Sequence, residues 1–104
     1  MIYELRTYQL RMAGVPEFLE TIKTELLPAI AEHGLKPVGF WSTEIGTLNE
    51  VVHLWAFDDL NDRQAKWAKW AADPRRPALM ERLRQIILSQ SNKILRPTEF
   101  SGLQ

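Results

Sequence analysis

Apolar and polar positions alternate along residues 2–10, IYELRTYQL, and this stretch is rich in aromatic and β-branched side chains, which predicts a strand. The period then changes. Phe18, Leu19, Ile22, Leu26 and Ile30 recur at helical spacing within residues 13–34 and leave Glu17, Glu20, Lys23 and Glu25 for water. Pro16 suits a first-turn position, and Gly34 suits the left-handed residue that ends a helix. Pro28 lies inside the run without a backbone donor, so a kink or break is expected near Leu27. LKPVGFWSTEI (35–45) and EVVHLWAFD (50–58) predict two more strands, with GTLN between them as a hairpin turn in which Gly46 and Asn49 supply permissive backbone. A helix is predicted over 59–72, capped by Asp58 or Asp59 and with Asp62 in its first turn. DPRRP (73–77) interrupts it. Pro77 then opens a last helix with Leu79, Leu83, Ile86 and Ile87 as its apolar stripe, and QSNKILR (90–96) is a short final strand stopped by Pro97. The order β-α-β-β-α(α)-β is the split βαβ, ferredoxin-like pattern: one α+β domain over residues 1–104, an antiparallel sheet with helices on one face.

Strand alternation divides the sheet into two faces. A turn centred on Thr47 and Leu48 would set Glu44 opposite Val51, Ser42 opposite His53 and Phe40 opposite Trp55. One face then carries Val38, Phe40, Ser42, Glu44, Val51, His53, Trp55 and Phe57, joined from the first strand by Glu4, Arg6 and Tyr8. The other carries Trp41, Val52 and Leu54 with Tyr3 and Leu5, and as the cleaner apolar surface it is expected to meet the helices. The first face would remain open. It is too apolar for a solvated sheet, which implies an interface, and a second copy of the chain is the expected partner, giving a homodimer.

Composition narrows the function classes. Thirteen basic and thirteen acidic side chains balance, so no basic stripe favours nucleic acid and no net field favours an anionic membrane. Apolar runs are too short to span a bilayer, Glu4 and Arg6 interrupt the segment a signal peptide would need, and a cytoplasmic location is the expectation. With no cysteine and two histidines on different elements, no metal site has ligand spacing. There is no phosphate-binding glycine loop and no second signal for haem beside His53, so no cofactor is expected.

IYELRTYQLRMAG at the start, GFWSTEIGTLNEVVHLWAFDDLNDR in the middle and ILRPTEFS near the end resemble the NIPSNAP family. The resemblance implies a dimeric α+β barrel, in which two ferredoxin-like sheets pack together. It maps the family's strand motif onto Val51, Val52, His53, Leu54 and Trp55, and its opening motif onto Tyr3, Glu4, Leu5 and Arg6. One departure is that Arg75 and Arg76 stand where many members carry an aromatic.

The candidate chemistry centres on His53 in EVVHLWAF. Imidazole exchanges protons near neutral pH, so His53 is the candidate catalytic base in a cavity between two sheets. Glu4, Arg6, Tyr8, Phe40, Ser42, Glu44 and Trp55 are the candidate substrate-binding residues, with Glu4 and Ser42 the expected hydrogen-bond partners of the ring. The plainer reading is a core or interface histidine bonded to one of those two. Arg75 and Arg76 could hold an anion near a helix start or stand solvated. Trp67 and Trp70 could close the core or form a lid, and His33 suits the last turn of its helix. The function this supports is binding or conversion of a small aromatic or hydrophobic molecule, with oxygenation without a cofactor as the specific chemistry. The alternative is a non-catalytic scaffold whose sheet face is only a dimer seam.

Overall fold

Four strands form one antiparallel sheet in the order β2-β3-β1-β4, where β1 is Ile2–Leu10, β2 Lys36–Ser42, β3 Glu50–Phe57 and β4 Ile87–Leu95. The computed structural model describes all of residues 1–104. Helices α1 (Val15–Thr21) and α2 (Leu27–Ala31) connect β1 to β2, while α3 (Leu60–Ala71) and α4 (Arg76–Arg84) connect β3 to β4. This is the ferredoxin-like α+β arrangement, with the first strand beside the third.

The first helical run continues through Pro28 but changes its winding. Ile22–Leu26 form a π-helical turn, and the Leu27 N–H donates to the Ile22 carbonyl five residues back. The expected break is therefore a widened turn, a common response to a missing donor inside a helix. Gly34 is left-handed at φ 79°, as its place after the helix requires, and the His33 ring lies 2.8 Å from the Asp73 carboxylate. Arg75 binds that same carboxylate, so the end of the first helical run is tied to the turn between α3 and α4. Asp59 caps α3 by accepting from the Asp62 N–H, and Asp62 returns the bond to the Asp58 N–H.

Two boundaries differ from the sequence reading. β2 ends at Ser42, and a seven-residue loop over 43–49 replaces the four-residue turn, closed by a bond from the Thr43 N–H to the Glu50 carbonyl. Gly46 and Asn49 take positive φ within it. β4 begins at Ile87, opposite Leu10, so Ile87 belongs to the sheet and not to the last helix. The longer loop shifts the β2–β3 register by two residues: Ser42 faces Val51 and Phe40 faces His53. An even shift preserves which side each residue occupies.

The covered face is the opposite of the one expected. Val51, His53, Trp55, Phe57, Glu4 and Tyr8 are buried beneath the helices, with Phe18 of α1 stacked on the His53 ring and Trp67 of α3 edge-on to Trp55. Leu5, Thr7, Trp41, Val52 and Leu54 form the open face, where Trp41 is 54% exposed. Part of that face is covered by the last residues of the chain. The Tyr3 hydroxyl donates to the Gln104 carbonyl at 2.8 Å, and Pro97 and Leu103 flank Tyr3 and Leu54.

Candidate functional site

Because the helices cover the polar-bearing face, a cavity that the polar groups line lies inside one chain, between helices and sheet. Its volume is about 270 Å³. Arg6 and Tyr8 of β1 and Trp55 of β3 form its floor, Ile22 and Leu26 of the π-helical turn one wall, and Trp67, Trp70, Met80 and Leu83 of α3 and α4 another. Arg76 and the exposed Gln90 supply further polar groups. The widened turn thus contributes directly to the cavity lining, a frequent use of π-helical turns.

Under this floor lies an ionic knot. The Glu4 carboxylate, with no solvent exposure, accepts from Arg6 Nε at 2.9 Å, Arg63 Nε at 2.8 Å, Arg63 Nη2 at 3.2 Å and Trp67 Nε1 at 2.8 Å. Burial alone would raise its pKa, but the Arg63, Arg6 and Trp67 donors outweigh burial and hold the carboxyl below its ordinary value. Every lone pair that matters is met, as a buried carboxylate requires. The Arg6 guanidinium also lies 4.2 Å from the centre of the Trp67 ring, a cation–π contact that fixes both at the cavity edge. Burial pushes the Tyr8 phenol up, with Arg6 acting against it, and the group is protonated at neutral pH.

His53 stands behind this floor. Its ring sits among Phe40 at 4.6 Å, Tyr8 at 5.0 Å and Phe18 at 5.8 Å between centroids, and it is 1% exposed. Nδ1 has no hydrogen-bond partner; Glu4 is committed to the arginines and Ser42 is two residues further along β2 than the register once implied. Burial first, and the Arg6 charge second, push the imidazole pKa down from 6.5 to about 4, so the ring is neutral at pH 7. Of the candidate residues, the fold brings Arg6, Tyr8 and Trp55 to the cavity, with Glu4 directly behind Arg6 and Phe40 packed on the far side of His53. Ser42 and Glu44 are exposed at the end of β2 and in the loop after it, outside the cavity wall. Arg63 was not legible as part of the site, because nothing local ties residue 63 to residue 4.

The His53 shift carries a pH signature. Between pH 6.5 and about 4 the unfolded chain gains a proton that the folded ring does not take up. The stabilisation is therefore complete above pH 6.5 and falls by about 3 kcal/mol on acidification through that window. Thermal unfolding across pH 7 to 4 should show this loss in the wild type and a flatter profile in His53→Phe. Parallel profiles for the two proteins would mean that the imidazole titrates freely in the fold.

The NIPSNAP family model matches residues 3–102. The chain belongs to the NIPSNAP family. Human Protein NipSnap homolog 3A is 33% identical over 103 residues, which is 99% of this chain and 42% of that protein; this NIPSNAP chain thus spans less than half the length of such relatives. Among solved structures, a NIPSNAP family protein from Agrobacterium tumefaciens is 38% identical with a TM-score of 0.94, covering 100% of this chain and 94% of that one. More distant structures share the fold alone. An antibiotic biosynthesis monooxygenase matches at 10% identity and a TM-score of 0.69, over 94% of this chain and 99% of that one. A dimeric ferredoxin-like protein from an uncultured marine organism matches at 11% and 0.65, over 96% and 90%. No helix of the NIPSNAP chain is long and apolar enough to cross a membrane.

Proposed function

We propose that this NIPSNAP protein takes a small, mostly apolar organic molecule into the cavity between its helices and its sheet. The observation that carries this is the cavity: about 270 Å³ in a 104-residue chain, lined by three tryptophans and a few polar groups. Ligand pockets have this character, apolar walls with a small number of placed polar atoms. Close-packed interiors do not leave such space without loss of packing energy.

The reaction class we propose is monooxygenation of a phenol-like molecule without a bound cofactor; the fold shared with an antibiotic biosynthesis monooxygenase is the analogy for the monooxygenation alone. The balance is closed by substrate and oxygen alone. A ring carbon of the phenolate bonds to one oxygen atom of O2, the O–O bond breaks, the hydrogen of that carbon and the proton first released from the phenol leave with the other oxygen as water, and a quinone remains. Arg6 adds positive charge beside the phenolate oxygen, Tyr8 donates a hydrogen bond to the reduced oxygen, and neutral His53 packs against Tyr8 and holds its ring in place. We also propose that the open face of the sheet receives a second copy of the chain, since Trp41, Val52, Leu54 and Leu5 form an apolar surface there.

1-Naphthol tests the cavity and the chemistry separately. Ligand-observed NMR should detect its binding, and Met80→Trp, which fills the cavity, should abolish it without loss of folded protein. Oxygen uptake should accompany formation of one equivalent of naphthoquinone, and Tyr8→Phe should slow it roughly a hundredfold. Binding without oxygen uptake would make the protein a binder and remove the enzyme reading. Binding that survives Met80→Trp would place the ligand elsewhere.

A further inference from the structure

The charged groups lining this cavity are all of one sign. Arg6, Arg76 and Trp55 present donors only, Tyr8 and Gln90 can donate or accept, with the Gln90 amide N–H already bonded to the Asn92 side chain, and no carboxylate lines the space. Glu4, directly behind, is already engaged by Arg6, Arg63 and Trp67. In the wall and the layer behind it, three arginines face one carboxylate, leaving an excess of two positive charges.

Two of these donors are buried without a partner. Trp55 is 1% exposed and its indole N–H has no acceptor; Arg76 is half-buried, but its Nε is hidden from solvent and likewise has no acceptor. A buried donor left unpaired is expensive, so such groups point to an acceptor that completes them. Arg76 also differs from its neighbour. Arg75 is spent on Asp73 and Glu32, whereas Arg76 forms no ion pair and lines the cavity from the first turn of α4. Its charge has no counterpart within the protein's own set of ion pairs.

We propose that the cavity is selective for organic anions: a ligand with a flat apolar body against Trp55, Trp67 and Trp70 and a negatively charged oxygen held by Arg76, with Arg6 adding to the field. This rests on the cavity reading above and assigns the charge of its occupant. Guanidinium donors suit such an oxygen because charge-assisted bonds are stronger than neutral ones and strengthen further away from water. The phenolate of the proposed reaction satisfies the requirement, and so does a carboxylate.

The test compares 2-naphthoate with 2-naphthamide, which share shape but not charge, by isothermal titration calorimetry on the wild-type protein. Naphthoate should bind at least about tenfold tighter, the scale of a hydrogen bond to a charged group. Arg76→Gln should remove most of that preference by weakening naphthoate alone, and unchanged naphthamide affinity in the variant shows that the cavity is intact. Equal affinity for the two probes, or a preference that survives Arg76→Gln, would overturn the anion assignment and leave the cavity reading standing. Binding of neither probe would overturn the cavity reading and this inference with it.

Discussion

Glu4→Leu should destabilise the protein by about 3–5 kcal/mol, the usual cost of removing one partner from a buried ion pair. For a domain of this size that corresponds to a fall in Tm on the order of 15–30 °C, or to failure to fold. The expectation follows from the accounting of donors. Four bonds from Arg6, Arg63 and Trp67 converge on one carboxylate with no exposure, and leucine would leave two guanidinium groups facing each other without an anion between them. Glu4→Gln separates charge from shape: it keeps the volume and one acceptor, so it should be less damaging than leucine but clearly destabilising. The pH dependence has a fixed sign. The Glu4 carboxyl has a folded pKa below its ordinary 4.5, so its contribution is fully present above that value and is lost as pH falls through the folded pKa. Chemical denaturation at pH 7 and pH 3 should therefore show the wild type converging on Glu4→Gln in acid. If Glu4→Leu kept wild-type stability at pH 7, the knot would be no more than a packing arrangement that leucine can replace, as is known for some buried ion pairs.

The element order was legible because periodicity reports local burial, and each strand and helix here has a clean period. The choice of covered face was not. Both faces of β3 are apolar, and the four polar groups Glu4, Arg6, Tyr8 and His53 argued for an open face because the partners of the Glu4 carboxylate were out of sight. Those partners are Arg63 and Trp67, 59 and 63 residues from Glu4 in the chain. Burial of ionisable groups becomes reasonable only once such distant donors are placed, and alternation within a strand carries no information about them. The cavity was missed for the same reason. Trp67, Arg76 and Met80 meet Arg6 and Tyr8 only through the packing of α3 and α4 on the sheet. The register slipped by two residues because GTLN looked like a complete turn, whereas Thr43 leaves the strand and bonds back to Glu50 through both backbone and side chain.

Which face the helices cover decides what substitution of Trp41 and of Trp55 should do. If a second copy packs on the open face, the wild type at micromolar concentration should scatter light as about twice its chain mass of 12.1 kDa. Trp41→Glu should reduce that to a single chain while the unfolding transition remains cooperative. Trp41 lies across Gly39 so closely that a Cβ there would come within 2.3 Å of its ring, which flattens the indole onto the sheet as an apolar platform. A carboxylate in its place would be desolvated and unpaired wherever a partner covered it, a cost that association cannot recover. The monomer, by contrast, loses little, because Trp41 is already 54% exposed. Trp55→Ala should do the reverse. Trp55 is 1% exposed and packs on Phe40 and Trp67, so its loss should cost about 3–5 kcal/mol and damage the fold itself. A wild-type chain that scatters as a monomer, or a Trp41→Glu protein that remains dimeric, would show that the open face is not the seam.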